Sequence, residues 1–181
     1  MKVGLVVTLS LLLVACNLFA FSVGPVGEAL RKELREKESI EVDLKKIVPF
    51  DWDEFYLFTP YTPREEVCKR LQLTELHCWY YVPTESTVDG LMFLAFRYKG
   101  KTVHTEMHSR FNGDFTPVDY PQPVLPERGR FVVKKDGVTG SGEPWLRLRP
   151  IAEAKRSNIS LNMDGQKRRF ALLSAAGYLK R

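Results

Sequence analysis

The chain of 181 residues predicts an α+β domain, an antiparallel β-sheet with two helices packed on one face, preceded by a signal peptide. Three observations carry that expectation. A short apolar run opens the chain, period-two and aromatic segments recur through its middle, and two short stretches with helical spacing lie between them. With the leader removed, the length suits one domain with its own core and is too short for two ordinary ones.

The opening run, residues 3–15, follows a single cation, Lys2, and is interrupted only by Gly4, Thr8 and Ser10. Its length and flank are those of a secretory h-region, too short to span a bilayer comfortably. It closes on Leu13, Val14, Ala15 and Cys16. Those four residues resemble the bacterial lipobox, in which aliphatic and small residues precede an invariant cysteine. The resemblance is to bacterial lipoproteins, and it implies that Cys16 is thioether-linked to diacylglycerol, becomes the new N-terminus and is N-acylated. Two other readings compete: an uncleaved helix over residues 3–21, and cleavage after Ala20, for which Leu18 is a poor match. The expected division is a signal peptide at 1–15, a lipidated N-terminus and tether at 16–26, the α+β domain at 27–150 and a basic tail at 151–181.

From residue 27, Leu30 and Leu34 share a face, and Glu33 stands four residues before Lys37. A helix over 27–38 follows. Ile40, Val42 and Leu44 alternate with Glu41, Asp43 and Lys45, the pattern of a half-buried strand. Residues 52–58 are dense in aromatics and predict a central strand. Thr62 as N-cap, Pro63 at the first helical position and Glu65 as capping-box partner then open a helix that runs to Leu71 or Leu73. Residues 78–82, aromatic and β-branched, predict a strand before Pro83.

The clearest hairpin joins 91–98 to 102–110 across Lys99, Gly100 and Lys101. Asn112 and Gly113 mark the next turn. Four prolines between 116 and 129 predict a long surface loop. Residues 131–135 and 145–149 are the last strands, and Pro150 ends the ordered core. In the tail, residues 166–180 carry Phe170, Leu173, Gly177 and Tyr178 with helical spacing.

The formal net charge of +5 is unevenly placed. Lys155, Arg156, Lys167, Arg168, Arg169, Lys180 and Arg181 face only Asp164, and the body from 16 to 154 is slightly acidic. A basic stripe can mark a nucleic-acid partner, but no nucleic-acid motif accompanies it and an exported chain rarely meets one. Anionic lipid or an envelope polymer is the expected counter-charge, at about 1 kcal/mol per cation near the surface; the alternative is a solvated tail that binds nothing. With Cys16 lipidated, Cys68 and Cys78 remain as a candidate disulfide worth about 2–3 kcal/mol; the alternative is two buried thiols.

Asp51, Asp53 and Glu54 around Trp52 form the densest acidic patch, and on a strand the two aspartates share a face. Paired carboxylates can do acid–base work or bind calcium, although no calcium-loop spacing follows. His104, Glu106 and His108 alternate along one strand and so project from one face, a weak candidate metal site. His77 and Cys78, consecutive on a strand, would point to opposite faces and could not share a proton. No nucleophile elbow, P-loop, dinucleotide fingerprint or zincin motif occurs.

The segment 50–62, with its Trp-Asp, aromatic strand and Pro60-Tyr61, resembles small bacterial lipoproteins and exported proteins. That resemblance covers about a tenth of the chain and brings no catalytic residues with it. The expected function is a lipid-anchored envelope protein with a non-catalytic binding or structural role, needing no cofactor, held on the outer membrane if the host is Gram-negative. The alternative is an exported enzyme acting on an envelope substrate through the acidic patch or the His/Glu face.

Overall fold

The computed structural model describes residues 24–151. The signal run, Cys16 and the expected helix at 166–180 lie outside the described residues. In chain order the elements are helix α1 (Pro25–Arg31, continued by a π turn over Lys32–Glu36), β1 (Glu41–Asp43), α2 (Leu44–Ile47), β2 (Glu54–Phe58), α3 (Arg64–Arg70), α4 (Glu75–Tyr81), β3 (Leu91–Tyr98), β4 (Lys101–Ser109), β5 (Arg130–Val138) and β6 (Pro144–Pro150). The α+β class and the antiparallel pairing hold, and the strands divide over two sheets, ordered β1-β5-β6 and β2-β3-β4. In the β3–β4 hairpin Lys99 and Gly100 both take positive φ, 51° and 74°, which matches the right-handed twist of the flanking strands.

Period two decides what each face of β2-β3-β4 meets. Phe55, Leu57, Met92, Leu94 and Phe96 face the main core, where α1 contributes Val26, Leu30 and Leu34 and the other sheet Val42, Phe131, Leu146 and Leu148. Tyr56, Phe58, Phe93 and Ala95 face the opposite way and pack on Val67, Cys68 and Leu71 at α3. Burial on both faces explains why β3 reads as a near-continuous apolar run. A chain of rings crosses the core from sheet to sheet. Phe96 stacks on Phe55 at 4.5 Å, Phe55 meets Phe115 at 5.9 Å, and Phe115 meets Phe131 edge-on at 5.2 Å, geometries that aromatic quadrupoles favour.

Several expectations are corrected. Residues 78–81 belong to helix α4, with Val82 as its C-cap, not to a strand. The expected strand at 40–45 shortens to β1, because Asp43 accepts the Lys45 N–H at 3.1 Å and starts α2; Ile40 is 77% exposed instead of sharing the buried face of Val42 and Leu44. The strand at 52–58 begins at Glu54 and lies at the edge of its sheet, with β3 central. Its outer edge is covered by the proline loop: Phe55 exchanges both backbone hydrogen bonds with Val124, at 2.9 and 2.8 Å, and the Leu57 N–H donates to Gln122 Oε1 at 2.9 Å. That loop therefore runs partly inside, with Tyr120 and Val124 in the core, since an unpaired edge beside the core would leave backbone polar groups without partners.

The capping box at Thr62 and Glu65 does not form. Pro63 precedes the first helical residue, the Thr62 hydroxyl turns back to the Thr59 carbonyl, and Glu85 Oε1 accepts the Arg64 N–H at 2.9 Å. Helix α1 begins at Pro25, two residues earlier than expected, with the proline at a position where its missing N–H costs nothing.

Candidate functional site

His104, Glu106 and His108 do share the inward face of β4, but α1 covers it. Gly24, the N-cap of α1, has no side chain to satisfy the helix's first N–H groups. Glu106 does so from 80 residues away. Its carboxylate accepts from the Gly27 N–H at 2.7 Å and the Val26 N–H at 3.2 Å, and lies 2.7 Å from His104 Nε2. A carboxylate is well placed there, against the positive end of the helix. Gly24 makes room for it: an added Cβ would stand 2.9 Å from Cβ of Glu106.

His108 is fully buried, with Nε2 2.8 Å from the Gly113 carbonyl. A carbonyl only accepts, so Nε2 carries the hydrogen. Burial pushes the His108 pKa down against the opposing pull of Gly113, Glu106 and Asp114, which keeps the ring neutral. Among the described residues no three His, Cys, Asp or Glu side chains are placed to hold a metal ion. This face is a helix latch. Glu106→Ala is expected to cost about 1–2 kcal/mol, the usual loss of a helix cap, and to raise amide exchange in α1 ahead of the sheets; exchange confined to the global rate would contradict the latch.

The acidic patch does not converge. Asp51 is exposed, Asp53 Oδ2 accepts the Lys99 N–H at 2.7 Å, and Glu54 pairs with Arg97 across the strands at 2.9 Å. Asp51 and Asp53 precede β2, so they do not share a strand face. Two of the three carboxylates brace the β3–β4 hairpin.

A carboxylate missed by sequence reasoning is more heavily used. Asp114 is fully buried. Its Oδ1 accepts from Arg110 Nε at 3.0 Å, the Thr116 N–H at 2.9 Å and the Thr116 hydroxyl at 2.7 Å; its Oδ2 accepts from Arg110 Nη2 at 3.0 Å and Trp145 Nε1 at 2.8 Å. Its backbone also bridges β6, between Leu146 and Leu148. Burial works to raise its pKa, and the bonds from Arg110, Thr116 and Trp145 outweigh that and hold it below the ordinary value. Arg110 follows β4 and Trp145 lies on β6, so the carboxylate ties one sheet to the other. The Asp114 side chain also closes a local turn on the Thr116 N–H.

The exposed face of α4 stands apart from these internal ties. Thr74 accepts the His77 N–H at 3.4 Å and starts the helix. The helix buries no residue fully. Cys78 is bonded to Cys68 of α3, with Cα atoms 5.5 Å apart, and the Thr105 hydroxyl of β4 donates to the Tyr81 carbonyl at 2.6 Å. On the outer side Leu76, Trp79 and Tyr80, spaced three and four residues apart, form one stripe. They are 76%, 61% and 77% exposed. The Arg64 guanidinium lies over the Trp79 ring at 3.9 Å, a cation–π contact. Scattered apolar residues on a surface are ordinary; these three are contiguous on one face of a helix. The three- and four-residue spacing of Leu76, Trp79 and Tyr80 is a helical signal that the strand preference of Trp79, Tyr80 and Tyr81 concealed.

A groove of about 440 Å³ opens between the end of α1 and the β5–β6 hairpin, with Leu34, Ile40, Val133, Pro144 and Leu146 in its wall. Its Arg35 is committed to the carbonyls of Pro144 and Phe111, at 2.9 and 2.6 Å. Among the described residues no helix is long and apolar enough to cross a membrane. No family model, curated protein or solved structure matches the chain.

Proposed function

We propose that this chain is a lipid-anchored module of the bacterial cell envelope that works by binding, through the exposed stripe of α4. The single observation that carries the binding role is the outward display of Leu76, Trp79 and Tyr80 on a helix fastened by a disulfide. Rigid aromatic side chains offer contact area at little entropic cost, which is why they dominate binding surfaces. The lipobox-like Leu13 to Cys16 supports the anchor, and the disulfide suits an oxidising compartment outside the cytosol. The enzymatic alternative loses support from the separate structural duties of Asp53, Glu54, Glu106 and His108.

A photo-crosslinking amino acid tests the binding face in living cells. Placed at Tyr80 it is expected to give adducts, whereas at Val138, which is 71% exposed on the other sheet, it gives none. Equal yields at both positions, or none at either, would contradict a binding role for α4.

A further inference from the structure

We propose that the α4 stripe seats in the headgroup layer of the phospholipid membrane to which Cys16 tethers the domain; this names the partner of the binding face and rests on that reading. The first argument is reach. The described chain begins at Gly24, and Val26 and Gly27 are fixed to Glu106 on one face of β4. The end of α4 is fixed to Thr105, the adjacent residue, on the opposite face. β4 is an edge strand of its sheet, so the two faces meet at its open edge. From Cys16 to Gly24 an extended chain spans about 26–29 Å. Two packed layers, at about 10 Å each, lie within that length. The anchor therefore leaves α4 within reach of the bilayer.

The second argument is chemistry. Trp and Tyr are the residues that settle at the membrane–water boundary, with the ring in the apolar layer and the polar edge toward water. Leu76 adds an aliphatic side chain on the same stripe. Arg64 lies over Trp79 at 3.9 Å with its Nε and Nη2 buried, so it braces the ring and offers those N–H groups to no lipid. The exposed charges of α3 and the start of α4 make no cationic patch, with Lys69 and Arg70 beside Glu65, Glu66 and Glu75. Attachment here is apolar and aromatic, and high salt leaves it unchanged. A seat made by the basic tail would weaken with salt.

Tryptophan quenching reads the seat directly. Cys16 is the one cysteine outside the disulfide, so the chain from Cys16 onward can be coupled by its thiol to a maleimide lipid in phosphatidylcholine vesicles with brominated acyl chains. Of the three tryptophans, Trp52 is in the core and Trp145 donates to buried Asp114. The expected result is quenching of wild-type emission, most of it lost in Trp79→Phe. For the untethered Cys16→Ser chain on the same vesicles, the pair Leu76→Ser and Tyr80→Ser is expected to lower partitioning roughly tenfold. Quenching that is absent, or equal in wild type and Trp79→Phe, would overturn the membrane seat and leave the stripe to a protein partner. Because the vesicle tether is chemical, failure of natural lipidation at Cys16 does not affect this readout and is detected separately.

Discussion

Asp114→Ala loses about 3–5 kcal/mol of folding stability, the cost of leaving a part-buried cation without its counter-charge. Arg110 would keep its place beside the Asp89 carbonyl, to which it donates at 2.8 Å, and would face an empty site. Trp145 Nε1 and the Thr116 N–H lose their acceptor at the same time. Asp114→Asn keeps the volume but turns an amide N–H toward donors, so it loses much of the same stability. The pH dependence has a fixed sign. A carboxyl whose folded pKa lies below its unfolded value contributes stability that is complete above the unfolded pKa, about 3.9, and is lost as pH falls through the folded value. The wild type therefore sheds this contribution below about pH 4, and the Asn variant has none to shed. Urea unfolding at neutral and acid pH checks both statements. A variant within 1 kcal/mol of wild type, or an unaltered acid limb, would contradict the role given to Asp114.

Opening the Cys68–Cys78 bond has the second largest effect, about 3 kcal/mol for a loop of this size in the chain-entropy model. The distribution of the loss is more telling than its size. Helix α4 buries no residue fully; without the bond it keeps the Thr105 contact and the partial burial of Cys78 and Tyr81. Seven-residue helices are not stable alone. Hydrogen exchange under reducing conditions, or in Cys68→Ser with Cys78→Ser, is expected to show α4 unprotected while β3 and β4 remain slow. Protection of α4 unchanged by reduction would mean that packing, not the bond, holds it.

Parts of this fold were legible because their signals are local. Lys99-Gly100 directly after the apolar run of β3 specifies the β3–β4 hairpin, and the alternation of Leu146 and Leu148 with Arg147 and Arg149 marks β6. Helix α4 was not legible as a helix: Trp79, Tyr80 and Tyr81 favour strands, and the disulfide to α3 holds an outward-facing apolar stripe that propensity alone does not predict. The alternation of His104, Glu106 and His108 placed them correctly on one face but could not show that α1, some 80 residues earlier in the chain, comes to rest on it. Asp114 was illegible for the same reason, because its strongest partners, Arg110 and Trp145, come together only in the folded domain. The candidate site thus emerged from exposure and spacing on α4, while the carboxylates that stood out in the sequence proved to be fastenings.

The claim on which the functional reading depends is that lipid on Cys16 holds this domain at a membrane. Intact-mass spectrometry of the chain recovered from bacterial envelopes, for wild type and Cys16→Ser, measures it directly. The predicted result is a mature chain beginning at Cys16 with a diacylglyceryl thioether and an acylated amine, and an unprocessed, unlipidated Cys16→Ser chain. An unmodified N-terminus at Phe21, or an intact Met1 in the wild type, would contradict it.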